Sequence, residues 1–181
     1  VRGVPGLAVE HPQLWWPNGM GDPALYTCRL VFETDGRQSD ARTVTFGIRE
    51  YGYEWHDGIF RLKINGEPVY VKGGNWGMSE WLLRCRGEEY DTRVALHRHM
   101  HFNMIRNWIG STTDEEFYDA CDRPGIMIWD DFWLNSHPTL PPDLGAFPPN
   151  AVETLPRLRN HPSLAVWCRD TDGVPQAPPD D

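Results

Sequence analysis

Four places in this sequence set carboxylates, amides, a guanidinium or indoles directly after a short apolar run. Residues 69–71 lead to Lys72-Gly73-Gly74-Asn75-Trp76, and Met104-Ile105 leads to Arg106-Asn107-Trp108. Residues 126–128 lead to Trp129-Asp130-Asp131, and residues 164–166 to Trp167-Cys168-Arg169-Asp170-Thr171-Asp172. Short, continuously apolar runs suit parallel strands buried on both faces. Where such strands close into a barrel, reactive side chains gather at their C-terminal ends. Brought to one mouth, Asn75, Trp76, Arg106, Asn107, Trp108, Trp129, Asp130, Asp131, Asp170, Thr171 and Asp172 would make a sugar site. The polar groups would serve hydroxyls, and the aromatic faces would serve the C–H surfaces of the ring. Trp129 and Trp167 lie nearest the apolar runs and are expected to pack between strand and helix, whereas Trp76 and Trp108 are expected to reach ligand.

Other residues hint at different chemistry and carry it less well. His97-x-His99-x-His101 would put three imidazoles on one side of a strand, where they could ligate zinc. On a helix the middle one points away from the other two, and a structural or solvated helix is the expectation here. His161-Pro162 reads as a helix-to-strand turn. Cys28, Cys85, Cys121 and Cys168 form no CxxC pair or tight Cys/His cluster, which excludes zinc-ribbon and thioredoxin readings. Gly73-Gly74 lacks the context of a phosphate-binding loop.

The elements that must position these groups follow from periodicity. Tyr26, Cys28, Leu30 and Phe32 alternate, as do Val44, Phe46 and Ile48 beyond a turn at Asp35-Gly36, so antiparallel strands of a β-sandwich are expected. Phe60, Leu62 and Ile64 alternate again, and Asn65-Gly66 supplies the two positive-φ positions of a type I′ hairpin turn. Helices are expected over residues 91–101, after a capping box at Thr113-x-x-Glu116, and after a second at Asn150-x-x-Glu153. Pro156 sits badly in the last of these. Beyond residue 68 the order is β-α-β-α-β-α-β, a parallel α/β arrangement whose length fits half of a (β/α)₈ barrel.

Composition bounds the partners. A net charge of −9 over 181 residues argues against nucleic acid or an anionic membrane as the main partner. No run approaches the 18 apolar residues of a transmembrane helix. Nine tryptophans are the one abnormal count. The N-terminal segment reads as neither a signal peptide nor a transit peptide. The compartment stays open, with a bacterial periplasmic or secreted setting preferred to the cytoplasm.

Several ordered motifs together resemble glycoside hydrolase family 2, in its β-mannosidase and exo-β-D-glucosaminidase branch. They are Asn65-Gly66-Glu67-Pro68-Val69 with Lys72-Gly73-Gly74-Asn75-Trp76, and Asn103-Met104-Ile105-Arg106-Asn107-Trp108. Phe117-Tyr118-Asp119-Ala120-Cys121-Asp122, Trp129-Asp130-Asp131-Phe132 and Arg157-Leu158-Arg159-Asn160-His161-Pro162-Ser163 complete the set. The resemblance implies that residues 1–50 are the C-terminal part of an immunoglobulin-like β-sandwich and residues 51–181 the N-terminal half of a TIM-barrel catalytic domain. It implies hydrolysis of a β-mannoside, β-glucosaminide or related sugar with retention, without metal or other cofactor; the oligomeric state is left open.

Retention needs two carboxyl groups about 5–5.5 Å apart. The resemblance places the acid/base in a Trp-Cys-Gly-x-Asn-Glu-Gly-like segment, which here reads Trp167-Cys168-Arg169-Asp170-Thr171-Asp172-Gly173. Thr171 stands for the amide and the shorter Asp172 for the glutamate, a degenerate acid/base position. The family's nucleophile belongs to a seventh strand, beyond residue 181. Asn75, Trp76, Arg106, Trp108, Asp131 and Thr171 are carried over as sugar-site or supporting residues. The chain alone is expected to turn over little or no substrate; the alternative is a non-catalytic carbohydrate-binding remnant.

Overall fold

A computed structural model describes residues 8–77, 82, 84–134 and 145–170. Strands β1 (Tyr26–Thr34) and β2 (Arg37–Phe46) form an antiparallel ribbon whose side chains are mostly exposed. Of the expected sandwich, the described residues hold this ribbon. Strands β3 (Tyr51–His56), β4 (Ile59–Ile64) and β5 (Glu67–Pro68) form an antiparallel sheet. The turn after β4 has Asn65 at φ 51° and Gly66 at φ 86°, as expected of a type I′ turn.

The third sheet is parallel and has four strands in chain order. These are β6 (Gly73–Trp76), β7 (Met104–Asn107), β8 (Met127–Leu134) and β9 (Leu164–Asp170). Helices α1 (Glu88–His99), α2 (Glu115–Asp122) and α3 (Phe147–Leu158) connect them. The β-α-β-α-β-α-β order is as expected, with shifted boundaries. Residues 69–71 are not in a strand: the Asn103 side chain donates to the Tyr70 carbonyl (3.0 Å) and accepts from the Lys72 N–H (2.8 Å). Pairing therefore starts at Gly73, where a Cβ would collide with the Met104 carbonyl.

Neither expected capping box forms. Helix α2 is capped at Asp114 and α3 at Ala146, each without a side-chain cap hydrogen bond. Helix α3 begins three residues before Asn150; Pro148 and Pro149 fill its first turn, where no intrahelical donor is lost, and Pro156 is accommodated near its end. No described helix is long and apolar enough to cross a membrane.

The parallel sheet is covered on both faces. On one, Tyr90 and Val94 of α1, Phe117, Ala120 and Cys121 of α2 and Leu158 of α3 pack on Ile105 and Ile128. On the other, Leu62 and Ile64 of the hairpin, together with Trp15, pack on Met104, Met127 and Ala165. The turn before β9 fastens the preceding segment to the sheet. Arg49 donates to the His161 and Pro162 carbonyls, and the Tyr51 hydroxyl donates to that of Pro162 at 2.9 Å. His161-Pro162 thus serves as the turn expected of it, with the His161 ring held 2.7 Å from Asp122.

Candidate functional site

Register sorts the strand-end residues into two sets. Asn75, Arg106, Trp129 and Val166 are successive partners across the sheet, and the next row is Trp76, Asn107, Asp130 and Trp167. Because strand side chains alternate faces, the first row shares the side of Met104 and Met127, while the second turns towards the helices.

On the first side Arg106 and Asp131 meet. The Arg106 Nε lies 3.2 and 3.1 Å from the two Asp131 carboxylate oxygens, and the Ile109 N–H donates to Oδ2 at 3.1 Å. The Asp131 side chain is wholly buried, while Arg106 is 26 % exposed. The guanidinium also lies 5.4 Å from the Trp129 ring centre, within cation–π range. Arg106 therefore keeps donors towards solvent from a fixed position. Asn75 is exposed in the same row. Trp108, just past β7, is 38 % exposed.

Trp76 corrects the sequence expectation. Its indole is buried on the helical side, with ring centres 5.4 Å from Phe117, 6.3 Å from Tyr90 and 5.7 Å from His97. It belongs to the core and does not join Arg106, Asp131, Asn75 and Trp108. Trp167 packs as expected, against the helix-side cluster and stacked on Phe132 at 4.8 Å, whereas Trp129, expected between strand and helix, packs on the opposite face against the hairpin-side cluster. Thr171 and Asp172 lie outside the described residues.

Asn107 and Asp130, expected at the same mouth, instead turn towards the helices and form a polar network behind the site. Asp130 is buried; its Oδ1 accepts from Asn107 Nδ2 at 2.8 Å and its Oδ2 lies 2.6 Å from the Tyr118 hydroxyl. Asn107 Nδ2 also donates to the Thr112 carbonyl, and its Oδ1 accepts from Ser111 Oγ and the Thr112 N–H. Desolvation pushes the Asp130 carboxyl up to about 7, opposed by the Tyr118 and Asn107 hydrogen bonds and assisted by the neighbouring Asp131. Burial likewise drives the Tyr118 phenol far above its ordinary range. Period-two alternation separates Asp130 from Asp131 and could have revealed this division.

The turn between these networks is strained. Ile109 sits at φ 50°, a left-handed conformation that a β-branched side chain disfavours. Gly110 follows at φ 56°, where a Cβ would meet the Asp131 carbonyl at 2.5 Å. Ile109→Gly is expected to raise stability by about 1 kcal/mol, read as a higher thermal midpoint. A lower midpoint would mean that Ile109 packing outweighs its backbone strain.

His97 and His99 lie on a helix, as expected, and do not form a strand-borne metal triad with His101. His97 and His99 each hold a carbonyl four residues back through Nδ1, at 2.8 and 2.9 Å, and His101 lies beyond the end of α1. His97 is half-buried against Trp76 and Phe102, and His99 is exposed. Potential ligand atoms of Asp119, Asp122 and His161 do lie within 4.8 Å of one another. Both Asp122 oxygens are already engaged there, by the His161 ring and by the Ser163 N–H at 3.0 Å.

Comparison with known proteins adds a family. Residues 3–49 match the model of Glycosyl hydrolases family 2. A mannosylglycoprotein endo-β-mannosidase of Lilium longiflorum is 38 % identical over 98 % of this chain and 20 % of its own length. The crystal structure of a β-D-mannosidase from Dictyoglomus thermophilum superposes with a TM-score of 0.74 at 35 % identity, over 90 % of this chain and 21 % of that one. An exo-chitosanase from Amycolatopsis orientalis shares the fold, with a TM-score of 0.76 at 24 % identity, over 88 % of this chain and 20 % of that one. The chain thus spans about one fifth of the length of the proteins it matches. The motif resemblance to glycoside hydrolase family 2 holds, and the relatives it points to are glycosidases.

Proposed function

We propose that this chain, related to glycoside hydrolase family 2, forms the N-terminal half of a (β/α)₈ catalytic barrel, residues 51–181, behind the last part of an immunoglobulin-like sandwich, residues 1–50. The whole protein would hydrolyse β-mannosides or β-glucosaminides with retention. The observation that carries this reading is the Arg106–Asp131 pair, held at the C-terminal ends of consecutive parallel strands with Trp129 beneath the guanidinium. A fixed, partly exposed guanidinium offers directed donors to sugar hydroxyls, Asn75 adds an amide, and Trp108 offers an aromatic face for ring C–H groups. In this reading Asp172 occupies the acid/base position, with Thr171 beside it.

The 181-residue polypeptide by itself is proposed to bind sugar without turning it over. Double displacement needs a nucleophile and an acid/base on opposite sides of one glycosidic bond. Among the described strand-end carboxylates, Asp131 is consumed by Arg106 and Ile109, and Asp130 faces the helices. The purified chain is therefore expected to release no phenol from aryl β-mannoside, β-glucosaminide or β-galactoside. It should show millimolar binding of one of these, weakened several-fold by Trp108→Ala. Sustained hydrolysis abolished by Asp172→Ala would overturn the inactive reading, and absence of any sugar binding would remove the carbohydrate reading of Arg106 and Trp108.

A further inference from the structure

We infer that Asp130 is a positioning residue for the strand-end site: through Asn107 it holds the turn at residues 108–112, and that turn presents Trp108 and delivers the Ile109 N–H to Asp131. The connection is continuous. Asp130 Oδ1 fixes the Asn107 amide, the amide oxygen binds Ser111 Oγ and the Thr112 N–H at 3.1 and 3.3 Å, and its nitrogen binds the Thr112 carbonyl at 2.8 Å. A rotated Asn107 would release the far end of the turn, and the strained Ile109 within it would relax away from Asp131. The inference leans on the proposed sugar site for its functional meaning, but the latch itself is independent of it.

The latch is proton-linked. Only Tyr118 and Asn107 reach the Asp130 carboxyl with hydrogen-bonding groups among the described residues, and the next residue along the strand, Asp131 on the opposite face, acts on it through its charge. Cys121 of α2 and Arg157 of α3 act on Tyr118. As the neutral acid, Asp130 can donate from Oδ2 to the Tyr118 oxygen while Oδ1 keeps the Asn107 amide in place. Ionised, it keeps the Tyr118 and Asn107 hydrogen bonds but holds a desolvated charge next to Asp131, which burial disfavours. Because the folded state keeps a proton that the unfolded chain releases near pH 4, stability from this group is highest in acid. It falls as pH rises towards about 7 and is level above that. Asp130→Asn, isosteric with the neutral acid, should flatten this dependence.

The test is a pH titration of the isotope-labelled 181-residue chain from pH 4 to 9 by nuclear magnetic resonance. The Asp130 carboxyl carbon is expected to titrate with a midpoint within one pH unit of 7, and the Ile109, Ser111 and Thr112 amides should shift with the same midpoint. In Asp130→Asn those amides should hold their acid positions throughout. A carboxyl midpoint below pH 5, or wild-type amides that ignore the carboxyl, would overturn the inference without use of any variant. Binding of an aryl β-mannoside, followed in the same samples, should weaken at least threefold from pH 6 to 8 in wild type only. Intact co-titration with no sugar binding at any pH would support the latch and overturn the carbohydrate reading instead; sugar binding that ignores the carboxyl midpoint would overturn the positioning role.

Discussion

Arg106→Ala is expected to cost about 3–5 kcal/mol of folding stability, because it removes one partner of a buried ion pair and leaves the other uncompensated. The Asp131 side chain has no solvent exposure, and after the change only the Ile109 N–H, among the described residues, would donate to its carboxylate. For a chain of this size, each kcal/mol moves the thermal midpoint by about 2–4 °C, so a fall of roughly 6–20 °C should be read by calorimetry or circular dichroism. Arg106→Lys should recover little, since an ammonium cannot place a planar donor against both oxygens while stacking on Trp129. Adding Asp131→Ala to Arg106→Ala should restore part of the loss, because the orphaned charge is then gone, giving a coupling of about 1–3 kcal/mol. A single-variant loss under 1 kcal/mol would mean that water reaches Asp131 and that the pair is no fixed platform for a ligand.

The contrast between Arg106 and its neighbours marks what was readable in the sequence. The β-α-β-α-β-α-β order followed from apolar runs separated by amphipathic segments, and the hairpin followed from Asn65-Gly66. Strand boundaries were less accessible. Residues 69–71 are as apolar as any strand, yet their backbone is tied by a side chain, Asn103, which no periodicity rule anticipates. Facing was the larger loss. Trp76 and Trp108 both follow apolar runs, but alternation sets Trp76 in one row with Asn107 and Asp130, on the helical side. The same parity separates Asp130 from Asp131, two adjacent carboxyls with opposite surroundings. One is pressed towards neutrality by burial and the other is paired with a guanidinium. Such a pair is where environment rather than residue type assigns the chemistry.

Trp15→Ala should be comparably damaging, for a reason no local pattern announces. Trp15 precedes every named strand, yet it is fully buried in the cluster with Leu62, Ile64, Met104, Met127 and Ala165. Its Nε1 donates to the Asp122 carbonyl at 2.9 Å, its N–H to Ile48, and its own carbonyl accepts from Asn65. Gly47 lies against it so closely that a Cβ there would approach Trp15 to 3.1 Å and Pro162 to 2.8 Å. Removing the indole empties a site bounded by the hairpin, the parallel sheet and the segment before β3, and a buried Trp→Ala change costs about 3–5 kcal/mol. Trp15→Phe, which keeps most of the volume and loses the Asp122 hydrogen bond, should cost about 1–2 kcal/mol. If Trp15 joins the first fifty residues to the parallel sheet, Trp15→Ala should lower the unfolding of both together, so that far-ultraviolet circular dichroism and indole fluorescence still report one transition. Two separated transitions, with the sheet's midpoint unchanged, would show that the sheet does not draw its stability from that contact.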